Sequence, residues 1–223
     1  MTTALLLLSA IMAIVVWWLV RHTLNVSPWM EQTPTEIARG NGELALPPVQ
    51  VGLGAFLAVA TSLFALLISA YHMRMVEADW TTLTLPRVLW LNTGVLILAS
   101  VAMQWTRVAA RRGQRDSVKK GLVAGGACTF AFLAGQLWAW QQLNASGHFT
   151  SANPAYAFFV LLTALHGMHL LGGLCVWARA TARALRGVAV GKVRLSVELC
   201  TVYWHYLLLV WAVLFAVLLN THG

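Results

Sequence analysis

Hydrophobic residues along the chain are grouped into six uncharged runs, separated by segments that contain charges, prolines and glycines. The runs cover residues 4–20, 49–71, 88–105, 121–140, 155–178 and 199–219. A helix of about 20 apolar residues crosses the hydrocarbon core of a bilayer, which is roughly 30 Å thick. The pattern therefore predicts an all-α integral membrane protein, a polytopic bundle of about six transmembrane helices.

The connection between the first two runs divides the chain into parts. Residues 21–48 contain four prolines and two glycines, a composition that argues against a regular helix. We therefore predict an N-terminal transmembrane helix at 1–22, a connecting loop at 23–48 and a five-helix membrane domain at 49–223. Small residues that let helices approach closely occur as a GxxxG pair at Gly121 and Gly125.

Composition and charge sharpen this prediction. Only 10% of the residues are charged, against about 25% in soluble domains. The formal net charge of +8 would suit nucleic acid, but six basic residues lie in 106–120, five in 179–197 and none in 141–154. Because short loops rich in Lys and Arg stay in the cytoplasm, this alternation predicts a membrane protein with the 106–120 and 179–197 loops in the cytoplasm, the N- and C-termini on the opposite side, and no nucleic-acid partner.

Four polar residues lie within or at the edge of the last two runs. His166 and His169 are three apart, and Glu198 and His205 are seven apart, so each pair shares one helix face. At 1.5 Å per residue, His169 and His205 lie at depths that differ by only a few ångströms. The spacing therefore allows a contact or a shared polar cluster between these two helices.

Three interpretations of this cluster are open from the residues alone. The histidines and Glu198 could form an interhelical hydrogen-bond cluster that fixes packing, supply axial ligands to a haem, or belong to a proton relay. A hydrolytic enzyme has little support, because the chain lacks an H-E-x-x-H spacing and a phosphate-binding glycine loop.

Three ordered motifs resemble subunit III of the haem–copper oxidases, in particular bacterial cytochrome c oxidase subunit III. Residues 89–93 read LWLNT, residues 153–173 contain N-P-A, F-F, H-G-M-H and G-G, and residues 198–211 contain E, Y-W-H-Y and V-W. The resemblance covers about residues 50–220. It implies that the matching positions are packing, lipid-cleft or subunit-interface residues: Asn92, His166, His169, Glu198, Trp204, His205 and Trp211.

The resemblance also implies a function. A subunit III has no catalytic residue, cofactor or metal of its own, and haem and copper are expected in partner subunits. It binds phospholipids and packs on subunit I, with subunit II and small accessory subunits in the same complex. It supports proton uptake by the catalytic subunit and stabilises that subunit, in a proton-pumping terminal oxidase of aerobic respiration.

One departure of the sequence from the family lies in the second hydrophobic run. Relatives often carry a buried glutamate there, whereas 51–71 contains no acid and has Ala60, Thr61 and Ser62 in that area. A role tied to that carboxylate is therefore not transferred. Two alternatives stay open: a subunit III-like accessory protein of a nitric oxide reductase, and a membrane haem protein that transfers electrons itself.

Overall fold

The described part of the chain consists of five long helices. A computed structural model describes residues 48–81, 83–145 and 154–220. Within them lie α1 (Pro48–Arg74), α2 (Val88–Arg111), α3 (Arg115–Ala145), α4 (Pro154–Leu185) and α5 (Val190–Asn220), and no strand. The predicted helix at 1–22 and residues 23–47 of the predicted loop lie outside the described residues, so the three-part division stays a prediction.

Each of the five helices is long and apolar enough to cross a membrane. The predicted fold class, an all-α polytopic membrane bundle, is confirmed over these residues, and the chain is an integral membrane protein. All five hydrophobic runs that fall on described residues begin later or end earlier than their helices, because charged and polar residues extend the helices beyond the apolar core.

Contacts between Cα atoms place residues 66–220 in one compact unit and residues 48–65 in another. The segment 48–65 is the first part of α1 and contains Thr61 and Ser62. The Thr61 hydroxyl donates to the carbonyl of Leu57 (2.7 Å), and the Ser62 hydroxyl donates to the carbonyl of Ala58 (3.0 Å). Both hydroxyls are thus satisfied by the backbone of their own helix.

Helices α2 to α5 form a closed ring. The main contacts join α2 to α3, α3 to α4, α4 to α5, and α5 back to α2. Two of these pairs are hairpins whose first helix ends at a glycine with left-handed backbone, Gly113 (φ 71°) and Gly187 (φ 83°). After each glycine the next amide bonds five residues back, Gln114 to Ala109 and Val188 to Arg183, which is the pattern of a Schellman cap.

The predicted close approach at the GxxxG pair is confirmed. A Cβ atom added at Gly121 would lie 2.1 Å from the Thr106 hydroxyl oxygen, and one at Gly125 would lie 2.9 Å from the sulfur of Met103. Both neighbours belong to α2. The two glycines therefore let Thr106 and Met103 of α2 occupy space on α3 that a β-carbon would otherwise take.

One end of the ring carries both basic segments. The Nε atoms of Arg111 on α2 and Arg194 on α5 both donate to Oε1 of Glu198, at 2.9 and 3.2 Å. The 106–120 and 179–197 segments are thus neighbours in space.

At the end of α1, Arg74 donates to both carboxylate oxygens of Asp79 (2.7 and 2.5 Å), which lies in the connection to α2. This hydrogen bonding lowers the pKa of Asp79.

Candidate functional site: polar contacts between the helices

Two buried tryptophans attach α5 to α3 and α2. The indole N–H of Trp204 donates to the Thr129 hydroxyl on α3, and that of Trp211 donates to the Thr93 hydroxyl on α2, each at 3.0 Å. Both side chains are almost completely buried. Because they are seven residues apart, they lie on the same face of α5, which is the face that fills the ring.

Asn92 joins α2 to α3. Its Nδ2 donates to Oε1 of Gln136 at 3.5 Å, and both side chains are buried. Gly135 on α3 makes room for this amide, because a Cβ there would lie 2.0 Å from Oδ1 of Asn92. The asparagine of the LWLNT motif therefore packs against a glycine and a glutamine of the neighbouring helix.

The two histidines of α4 have different surroundings. His166 is fully buried, and its ring lies 5.8 Å from the ring of Phe132 on α3 and 5.3 Å from that of Trp211 on α5. Nδ1 of His169 donates to the Leu165 carbonyl at 2.8 Å. The carbonyl of His169 accepts the Tyr203 hydroxyl of α5, also at 2.8 Å. His166 therefore belongs to the aromatic core, and His169 lies at the contact between α4 and α5.

His205 and Glu198 both contact α2, as expected for two residues on one face of α5. Nε2 of His205 donates to Oε1 of Gln104 at 3.2 Å. Its Nδ1 accepts a hydrogen bond from the Ser100 hydroxyl, which is the tautomer that the glutamine oxygen requires. Glu198 bonds Arg111 of α2, as described above. Both ring nitrogens of His205 are thus engaged by α2.

The possibility of one polar cluster shared by His166, His169, Glu198 and His205 is not realised. Within the described residues, the hydrogen bonds of His205 and Glu198 go to α2 and to Arg194, not to α4. The reason is the rotation of α5 about its axis. Tyr203 faces α4, and His205 is two residues later, which turns it about 200° around the helix. The similar depths of His169 and His205 do not establish a contact, because depth carries no information about how a helix is rotated about its axis.

Six residues that accept or complete these contacts were not named as site residues from the sequence: Thr93, Ser100, Gln104, Thr129, Gln136 and Tyr203. All of them are uncharged polar side chains at membrane depth. Thr93 and Tyr203 lie within the LWLNT and Y-W-H-Y motifs, which was the available signal for these two. On α3 and α4, two further indoles act in the same way, Trp140 donating to the Thr163 hydroxyl and Trp177 to the Leu122 carbonyl, each at 3.0 Å.

Every contact of the ring therefore contains at least one hydrogen bond between helices. Such a bond contributes about 0.6 kcal/mol on average in a membrane protein, so the set specifies the arrangement of the helices more than it stabilises them. Over residues 48–81, 83–145 and 154–220, no three His, Cys, Asp or Glu side chains are grouped as metal ligands. The geometry defines a polytopic membrane protein whose motif residues hold its helices together.

Comparison with known proteins identifies the family. The family model described as cytochrome c oxidase subunit III matches residues 8–221, so the chain belongs to this family of haem–copper oxidase subunits. As a subunit III, it is part of a complex with other oxidase subunits, and the resemblance inferred from its three motifs is confirmed.

Curated relatives carry the same name. The chain is 28% identical over 170 residues to cytochrome c oxidase subunit 3 of Synechocystis sp., covering 74% of this chain and 72% of the relative. It is 26% identical over 176 residues to the protein of that name from Thermostichus vulcanus, covering 75% and 85%. A probable cytochrome c oxidase subunit 3 from Mycobacterium bovis is 27% identical over 126 residues, covering 56% and 62%.

Proposed function

We propose that this chain is the non-catalytic, lipid-binding structural subunit III of a proton-pumping cytochrome c oxidase. In this proposal it packs on subunit I, with subunit II and small accessory subunits in the same complex. It supports proton uptake by subunit I and protects that subunit during aerobic respiration. The haems and copper belong to the partner subunits.

One observation carries the proposal: the motif residues are used to join helices. The indoles of Trp204 and Trp211 donate to threonines of α3 and α2 at 3.0 Å, and Nε2 of His205 donates to a glutamine of α2 at 3.2 Å. A catalytic group instead needs an orientation from which it can reach a substrate. This arrangement supports a scaffold role for the motif positions.

The haem alternative receives less support from the same geometry. An axial histidine uses one ring nitrogen for iron, whereas both nitrogens of His205 bond Ser100 and Gln104. His166 lies instead between Phe132 and Trp211. The two imidazoles therefore lie against different neighbours. The description of the matching family favours an oxidase complex over a nitric oxide reductase.

The lipid part of the proposal rests on the family resemblance and on the outward surface of α4. Met168, Leu171 and Val176 are each more than half exposed, which provides an apolar surface for acyl chains. The proposal assigns no role to the buried glutamate that relatives often carry in the span 51–71. Thr61 and Ser62 occupy that area here, and their hydroxyls donate to the backbone of their own helix.

The topology in the proposal follows from charge. The two basic segments lie at one end of the ring, joined through Glu198, and such an end stays in the cytoplasm. We therefore place it on the cytoplasmic side of the bacterial inner membrane and both chain termini in the periplasm. Thiol labelling of single cysteines introduced near residues 114 and 187, in intact cells, tests this orientation.

Purification of the oxidase from membranes with and without this chain tests the function. A tag on the haem–copper subunit should recover the chain together with phospholipid. The complex lacking the chain should reduce oxygen at first and then inactivate faster during turnover. Recovery of the haem–copper subunit without this chain would refute the proposal. A reducible haem spectrum in the isolated chain would support the electron-transfer alternative.

A further inference from the structure

A row of polar side chains lies on the outer surface of the ring where α2 meets α5. Gln104, Arg107 and Arg111 follow one another at helical spacing on α2, and Glu198 and His205 do so on α5. Gln104 and His205 are exposed, and Arg107 is half-buried. The row therefore faces outward from the bundle rather than into its core.

The row extends into the membrane. His205 is seven residues beyond Glu198 on α5, which places it ~10 Å deeper along the helix axis. Polar side chains at such depth almost always face other helices or water-filled cavities rather than lipid. Acyl chains offer no hydrogen-bond partner, and a lipid headgroup lies at the membrane surface. The deep part of the row therefore favours a protein neighbour.

Two side chains in the row have donors that the described residues do not use. Nε of Arg107 is buried and makes no hydrogen bond within the described part of the chain. Gln104 accepts from His205 through Oε1, which leaves its amide N–H groups without an acceptor over residues 48–81, 83–145 and 154–220. The hydrocarbon core contains no water to replace a missing acceptor, so the exposed Gln104 amide requires an acceptor from outside the described residues. The Nε of Arg107 is already covered by its own chain, and it shows only that this guanidinium is not fully paired among the described residues.

The charge of the row specifies that acceptor. Three arginines, Arg107, Arg111 and Arg194, lie here with one carboxylate, Glu198, which already bonds two of them. Arg107 is left with no ion pair among the described residues. A carboxylate on the neighbour would match the positive excess, because Arg binds carboxylates through paired N–H donors.

The same face continues toward the other end of α5 with apolar residues. Leu209, Ala212 and Ala216 follow His205 at helical spacing and are exposed. Small side chains let the backbone of another membrane helix approach closely. The exposed surface of α5 thus carries polar side chains toward its basic end and apolar, mainly small, side chains toward its other end.

We propose that this surface binds a transmembrane helix of another oxidase subunit, which carries a carboxylate at the level of Arg107 and an acceptor at the level of Gln104. The inference rests on the proposed function, because it assigns the partner contact of this subunit III to one face. We call this surface the docking face, and its residues are Gln104, Arg107, Arg111, Glu198, His205, Leu209, Ala212 and Ala216.

Matched variants of the full chain in the intact complex test the proposal. Arg107→Glu reverses the charge of the docking face, and Ala212→Trp blocks close approach without entering the ring. Arg183→Glu on α4 and Ala134→Trp on α3 are controls at exposed positions outside that face. We expect the two docking-face variants to reach wild-type abundance in membranes and to co-purify with the tagged haem–copper subunit at least tenfold less. The controls should co-purify normally.

A photo-crosslinking amino acid identifies the neighbour directly. At Leu209 it should yield an adduct with another oxidase subunit, whereas at Met168 on α4 it should not. Wild-type recovery of both docking-face variants, or adducts at Leu209 with phospholipid alone, would overturn the docking face while leaving the proposed function intact. Failure of the wild-type chain itself to accompany the haem–copper subunit would instead refute the proposed function.

Discussion

Substitution of Gly126 by alanine tests the packing of α3 against α4. A Cβ at this position would lie 2.1, 2.5 and 2.7 Å from Cζ2, Cη2 and Cε2 of Trp177. All three atoms belong to one rigid ring. The ring cannot retreat easily, because its N–H donates to the carbonyl of Leu122 at 3.0 Å. The two helices must therefore separate, or the indole must leave its place.

The expected loss of stability follows from three contributions. Overpacking of a well-filled contact costs about 1–3 kcal/mol, and loss of the indole hydrogen bond costs roughly 0.6 kcal/mol. Alanine in place of glycine regains up to about 1 kcal/mol of helix propensity. We expect Gly126→Ala to lower the free energy of unfolding by about 1–2 kcal/mol, since the gain offsets only part of the cost.

The assay is reversible unfolding of the purified chain in mixed detergent micelles, followed by circular dichroism. Gly172→Ala is the matched control, because a Cβ at Gly172 meets nothing within 4 Å, and it should leave stability unchanged or raise it. Trp177→Leu in the Gly126→Ala background should recover part of the loss. Equal stability of the Gly126 and Gly172 variants would refute the reasoning.

Three further predictions concern the contacts of α5. Thr129→Val removes the acceptor of the buried Trp204 N–H, and it should lower the free energy of unfolding by about 1 kcal/mol. A double-mutant cycle with Trp204→Phe measures the coupling energy of the two side chains, and a coupling energy of zero would contradict this prediction. Glu198→Gln removes a carboxylate shared by two half-exposed arginines, so the free energy of unfolding should fall by less than about 1 kcal/mol, and by less still at high salt. A loss of stability that is independent of salt would argue against an ion pair as its cause. His205→Ala should lower retention of the subunit, while the remaining complex still reduces oxygen at first; immediate loss of all turnover with the subunit bound would contradict a scaffold role.

Much of the fold could be predicted because the bilayer imposes simple length and charge rules. The runs of apolar residues locate α1 to α5, and the basic segments 106–120 and 179–197 predict which helix ends lie on the same side of the membrane. The glycines of the GxxxG pair also point to a real helix contact. These features depend on local sequence or on a single axis, the membrane normal.

The partners of the motif residues could not be predicted because they depend on rotation and on distant segments. His205 bonds Ser100 and Gln104, which are about a hundred residues earlier in the chain. Depth along the membrane normal is readable from the sequence, whereas the angle of α5 is set by how Trp204 and Trp211 fill the ring. For this reason the sequence left a single histidine cluster open, although the structure does not form it.

The closing contact of the ring has a consequence for biosynthesis. The bonds from Glu198, His205 and Trp211 to α2 span 87, 105 and 118 residues, so they form only after α5 has been made and inserted. Until then, α2 exposes Ser100, Gln104 and Arg107 to whatever surrounds it. A chain arrested before α5 therefore lacks five of the eight residues of the docking face, and assembly through that face would accept only chains whose insertion is complete through α5.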